Sequence, residues 1–277
     1  MVDFRLKNSL IKTFFSKKSL KLFILYCDLK VPFVSEMLKE LFSLSKYAII
    51  EPETGFRNKL ILVLKVYLSV FLISIFIASP IIIGMDKLVV KVLHHASLSL
   101  KSKQLIPSVL HKYGYLIGTI YICLIGPIFE EVIFRLGLSF KKRNVLISVF
   151  IALTYFTAGF IHFKYPQIKL LLVIAEAIII WTLMVVFVEN NDLVIVNKRK
   201  VVYFIISSCL FGLIHVFNYR PIDTHILWVY PFFVFPQFIM GWGITYIRLK
   251  NGFIWGILFH CLINSVSTAF YFIVHPI

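Results

Sequence analysis

Seven long apolar runs, at about 60–85, 114–138, 145–163, 168–188, 201–217, 226–247 and 253–274, leave this chain few ways to fold. Each comes close to the roughly 20 residues that a helix needs to cross a hydrocarbon core about 30 Å thick. Of all residues, 15% are charged and 60% hydrophobic, against about 25% and about 45–50% in an ordinary soluble protein. One soluble core cannot enclose that much apolar surface. With 28 Phe, 12 Gly and 10 Pro, the composition fits neither a disordered, nor a collagen-like, nor a coiled-coil chain. The expected fold is all-α: a multi-pass helical membrane protein with seven transmembrane helices, or eight if the connection 86–113 holds another.

The net charge is +16, and its placement matters more than its size. Residues 1–60 hold eleven Lys or Arg among alternating apolar positions and read as a basic, partly amphipathic cytoplasmic arm. The helical membrane domain follows, at 61–277. With the arm on the inner side, the connections 141–143, 198–200 and 248–250 bring the inner count of basic residues to nineteen, whereas the outer segments hold eight. Cytoplasmic loops carry the excess of Lys and Arg, so the N-terminus is expected in the cytoplasm. The same positions suit anionic lipid head groups, which makes the bilayer, not nucleic acid, the partner that the charge implies. Cys27, Cys123, Cys209 and Cys261 are far apart and form no C-x-x-C pair, so neither a disulfide framework nor a zinc cluster is expected from them.

Polar groups inside apolar runs carry the functional signal, because one charge at a helix centre costs about 2.5–3.5 kcal/mol on insertion scales. The segment Gly126-Pro127-Ile128-Phe129-Glu130-Glu131-Val132-Ile133-Phe134-Arg135 places three charges within six residues. Glu131 and Arg135 are four apart and share a helical face at ion-pair distance. Glu130 is rotated about 100° from its neighbour and needs another partner. This spacing predicts a structural ion pair between Glu131 and Arg135, with Glu130 free for chemistry; a purely structural charge cluster fits the segment as well. Downstream, His215 lies late in the fifth run, and His260 and Asn264 lie one turn apart on the seventh. Two such groups on one face can hydrogen-bond to a single point, as an oxyanion site requires. Glu176, alone in the fourth run, reads as a hydrogen bond to a neighbouring helix, and Pro236, Gly241 and Gly243 as a kink or a close helix crossing in the sixth.

Glu130-Glu131-x-x-x-Arg135 with Phe134 before the arginine, then Phe211-x-x-x-His215, then His260-x-x-x-Asn264, resembles the three-motif signature of the CPBP (Abi, CAAX-protease-like) intramembrane peptidases. The motifs fall within 126–264 in the family's order, and residues 1–60 carry none of the resemblance. About 75 residues separate Arg135 from Phe211, room for two more spans than many members have there. The resemblance implies a helical membrane core in a bacterial cell membrane, a hydrated cavity formed by the motif helices, and endopeptidase action on membrane-associated peptides or proteins.

On that resemblance Glu130 takes a proton from a water that His215 helps to hold, His260 and Asn264 stabilise the oxyanion, and no cofactor takes part. The alternative within the family is a zinc hydrolase with the metal on Glu130, His215 and His260. From other classes come a catalytically silent scaffold or immunity protein of the same fold, and a transporter with a proton path through Glu130, Glu131 and Glu176. Depth counting at about 1.5 Å per residue leaves a mismatch. Glu130 lies about 13 Å from Ser139 and His260 about 12 Å from Gly252, but His215 lies about 21 Å from Val201.

Overall fold

The computed structural model describes residues 52–160, 166–187 and 197–275, which form helices joined by short turns, with no strand among them. Helix α1 (Phe56–Ile73) passes through a π-helical turn at Ser74–Ala78 into α2 (Ser79–Lys91). Two short helices follow, α3 (Leu98–Lys103) and α4 (Leu105–Tyr113). Helix α5 (Tyr115–Ile120) continues through a second π-turn, Tyr121–Ile125, into α6 (Gly126–Arg135). Helices α7 (Lys142–Phe160) and α8 (Pro166–Phe187) pack on each other. The last four are α9 (Asn197–Ile214), the single turn α10 (Tyr230–Phe233), α11 (Phe235–Asn251) and α12 (Phe253–Val274). Most of the expected cytoplasmic arm, residues 1–51, lies outside the described residues.

Five stretches are long and apolar enough to cross a membrane: Phe56–Lys91, Tyr115–Ser139, Gln167–Val186, Lys200–Tyr219 and Phe253–Val274. Thr224–Phe233 and Phe235–Asn251, bent by 45°, make a sixth if the pair is one span. The chain is a multi-pass helical membrane protein. The run expected at 145–163 begins in α7 and leaves the described residues after 160. The connection 86–113 adds no eighth span. Instead α2 continues to Lys91, and α3 and α4, of 6 and 9 residues, are too short to cross about 30 Å of hydrocarbon. The expected kink in the sixth run is present: Pro236 stands in the first turn of α11, where its missing N–H costs nothing to the new helix but cannot continue the old one.

Helix α11 runs through the middle of the bundle, and its glycines set how closely the neighbours approach. A Cβ at Gly243 would stand 2.9 Å from Val70 of α1 and 3.4 Å from Phe259 of α12, and one at Gly241 would stand 2.9 Å from the Phe211 ring of α9. Between apolar helices in lipid, association rests on such close packing. Gly252, at φ 102°, reverses the chain between α11 and α12, a conformation that suits a residue without Cβ. The corner is tied to the start of α1 by Asn251 Nδ2 donating to the Lys59 carbonyl at 3.0 Å and by the Glu53 amide donating to Lys250 at 2.8 Å. At the other end, Asp86 accepts hydrogen bonds from the Ser97 hydroxyl and the Leu98 and Ser99 amides, holding α3 against a buried cluster that includes Val89, Tyr219, Val229, Tyr230 and Phe233. There too Asp223 accepts the His225 amide at 3.0 Å and meets His95 Nδ1 at 2.5 Å. These contacts, the backbone hydrogen bond first, hold its carboxyl below the ordinary carboxylate range.

Gly241→Ala would press a Cβ against Phe211 and to within 3.3 Å of the Ser208 carbonyl. It should cost about 1–3 kcal/mol, read as a lowered melting temperature in detergent micelles. Gly84→Ala, at a position with nothing within 4 Å, should melt no lower than the unaltered protein.

Candidate active site

Helix α6 is built inside out. Pro127, Glu131 and Arg135, spaced four apart, are buried, while Ile128 and Phe129 are exposed. In water that pattern would not fold; beside lipid it puts the charges where they can be paired. The helix is short, and its last carbonyls lack intrahelical donors. Hydroxyls from two neighbouring helices supply them: Ser148 of α7 reaches the carbonyls of Val132 at 2.8 Å and Ile133 at 2.6 Å, and Ser207 of α9 donates to Phe134 at 2.6 Å.

The expected ion pair is present. Arg135 Nη1 donates to Glu131 Oε1 at 2.8 Å, with both side chains 0% exposed. The guanidinium also lies over the Phe211 ring, 3.9 Å from its centroid, a cation–π contact that gains strength away from water. Glu131 does more than neutralise the arginine. Its Oε1 is also 2.9 Å from His260 Nδ1, so one carboxylate oxygen joins α6 to α12 and fixes the imidazole. The Phe211 ring meets His260 edge-on at 5.5 Å and His215 at 4.9 Å, which walls both imidazoles on one side.

Proton placement on the two histidines follows from their partners. His215 Nδ1 stands 2.7 Å from the Phe211 carbonyl, which can only accept, so Nδ1 carries the proton. His260 Nδ1 likewise donates to Glu131. Both rings therefore turn Nε2 outward, and both Nε2 atoms face one oxygen: Glu130 Oε2, at 3.9 Å from His215 and 3.7 Å from His260. That oxygen is shielded from solvent and makes no direct hydrogen bond, though the Glu130 side chain as a whole is 30% exposed. These separations exceed a direct hydrogen bond and suit a bridge through one water. Asn264, one turn beyond His260, uses one amide N–H on the Ile122 carbonyl at 3.0 Å.

The structure thus brings Glu130, Glu131, Arg135, His215 and His260 together, with Asn264 on the adjoining turn of α12. The depth mismatch largely disappears because α9 starts beyond the level of Ser139. The Phe140 ring packs on Tyr203 at 5.8 Å and Phe204 at 6.0 Å. Counting His215 from Phe204 instead of Val201 shortens its depth to about 16 Å. Glu176 stands apart from this cluster and accepts a 2.6 Å hydrogen bond from Thr157 of α7. Sequence reasoning missed Ser148 and Ser207 as caps, and it missed the link from Glu131 to His260. Spacing along one helix speaks of partners on that helix, and both cases cross between helices.

Zinc was the alternative for Glu130, His215 and His260. Tetrahedral ligands about 2.1 Å from zinc lie about 3.4 Å apart, and the observed separations are a few tenths of an ångström longer. Among the described residues no group of three His, Cys, Asp or Glu stands at metal-holding distances.

Removing one partner of the buried pair should do more harm than removing both. Arg135→Met, which strands the Glu131 carboxylate, should cost about 3–5 kcal/mol. The double variant Glu131→Gln/Arg135→Met should melt above that single variant when both are unfolded thermally in detergent.

Residues 191–266 match the family model described as Type II CAAX prenyl endopeptidase Rce1-like. The segment contains both downstream motifs, with His215, His260 and Asn264; Glu130, Glu131 and Arg135 lie upstream of it. No curated protein and no solved structure matches the chain. The match covers both histidine helices and likens that part of the chain to CAAX-type membrane endopeptidases.

Proposed function

We propose that the chain is an intramembrane endopeptidase that hydrolyses membrane-associated peptides or proteins with a water activated by Glu130. The observation that carries this reading is the facing of Glu130 Oε2 by two imidazole Nε2 atoms whose rings keep their protons on Nδ1. Two of these electron-pair donors, Glu130 and His215, can hold a water by its two protons and aim its lone pair elsewhere.

As the water oxygen bonds to the scissile carbonyl carbon, Glu130 takes one of its protons and His215 steadies the other. The carbonyl oxygen becomes an oxyanion. The second N–H of Asn264 donates to it, and so does His260 when it enters the cycle as an imidazolium with a solvent proton on Nε2. Glu131 offsets the charge that forms on His260 through the Nδ1 hydrogen bond, as a buried carboxylate does beside a catalytic imidazole. Collapse of the intermediate breaks the C–N bond, and the proton on Glu130 passes to the leaving nitrogen. The hydroxyl proton passes to His215, which leaves one product with the new carboxylate and the other with the amine. The bias of basic residues supports a reading in which this chemistry lies toward the cytoplasmic side of the membrane.

Purified protein in detergent, offered a quenched peptide library, should cleave. Glu130→Gln, which keeps size and loses the base, should reduce the rate by about 10²–10⁴-fold while melting close to the unaltered protein. Cleavage should also survive a strong chelator; loss on chelation with recovery on added zinc would overturn the metal-free mechanism, and undiminished cleavage by Glu130→Gln would remove the assigned base.

A further inference from the structure

The chain enters α6 through the π-turn Tyr121–Ile125, and this turn leaves one carbonyl without a backbone donor. The Gly126 amide donates to the Tyr121 carbonyl, five residues back. In an α-helix that amide would serve Ile122 instead. A continued π-turn would serve Ile122 from position 127, but residue 127 is proline and has no N–H. A carbonyl in apolar surroundings needs a donor from somewhere, and it comes from Asn264 Nδ2, 3.0 Å away on α12.

We propose that Asn264 is a positioning residue for Glu130: by closing the π-turn at Ile122 it fixes the rotation of α6 about its own axis. A π-turn carries one residue more than the α-helical turn it replaces, and one residue is about 100° of rotation. That angle separates Glu130 from Glu131. If the turn relaxed to α-helical register, α6 would rotate by about that amount relative to α5, and Glu130 would leave the two Nε2 atoms. Helix α12 thus sets both sides of the cluster. His260 meets Glu131, and one turn on, Asn264 holds the register that aims Glu130. The contact stands by itself; its consequence for rate rests on the peptidase reading above.

Restoring the missing backbone donor tests this. In Pro127→Ala the new amide at 127 can serve Ile122, so Asn264 should become dispensable for positioning. Cleavage rates and hydrogen exchange across residues 121–131 would be measured for Asn264→Ala with Pro127 present and, separately, in the Pro127→Ala background. With proline present, Asn264→Ala should lower kcat by roughly 10²-fold beyond the loss of its oxyanion donor and raise exchange in that segment. In the Pro127→Ala background the same substitution should lose the oxyanion donor alone, so its cost in kcat should be roughly 10²-fold smaller, with little change in exchange. Asn264→Asp, equal in size but without the donor when ionised, takes the place of the alanine variant if that one does not purify. Equal losses in both backgrounds, with exchange unmoved, would overturn the positioning role and leave Asn264 to the oxyanion alone. Exchange that follows the expected pattern, in a protein that cleaves nothing, would keep the positioning role and sink the peptidase reading.

Discussion

The buried pairing of Arg135 with Glu131 is the constraint around which this structure is arranged. Two charges out of water gain little over an apolar pair of equal volume, but either one alone is costly. Once both are present, α6 must keep its charged face inward. The third buried group, His260, brings α12 to the same carboxylate, and the arginine brings α9 through the Phe211 ring and α11 through Gly241. Helices that are nearly uniform in hydrophobicity have little else to fix their rotation, because lipid is as apolar as they are. The polar centre supplies the rotational order that leucine-rich surfaces cannot.

Adjacent carboxylates end up with different duties because a helix turns about 100° between them. Glu131 points into the bundle and is consumed by partners. Glu130 sits at the edge, partly exposed, with one oxygen facing two ring nitrogens. Neither histidine is free to choose its tautomer. A carbonyl fixes one and a carboxylate fixes the other, so the polarity of the cluster is determined by groups one layer farther out.

Much of this was legible in the sequence, for identifiable reasons. Six of the seven expected runs recur as candidate spans, five of them unbent and one as a bent pair, and the Glu131–Arg135 pair followed from an i, i+4 spacing that two residues on one helix must satisfy geometrically. Gly241 and Gly243 announced the close crossing that α11 makes with α1, α9 and α12. What escaped depended on long-range register. Nothing local to Ser148 or Ser207 says that their hydroxyls end another helix, and nothing local to Glu131 says that its oxygen has a second donor on α12. The π-turn escaped as well, since Tyr121–Ile125 is an ordinary apolar string; the proline at 127 was the available hint. The extent of the first span was underestimated at both ends, because the chain stays helical past its apolar portion.

That long first helix bears on how the protein is seated. From Phe56 to Lys91 it covers 36 residues, about 54 Å at about 1.5 Å per residue, well beyond hydrocarbon thickness. Its stretch without charge, 66–85, matches a bilayer by itself. The ten residues before it, with Arg57, Lys59 and Lys65, therefore stand proud of the lipid tails like the handle of a gauge. Because Val66 and Val70 abut Gly243, and Lys59 is tied to Asn251, the level at which this gauge stops sliding also sets how far from the head groups the polar centre hangs. A thinner or thicker membrane would meet the same fixed offset, and it is the lipid that would have to yield.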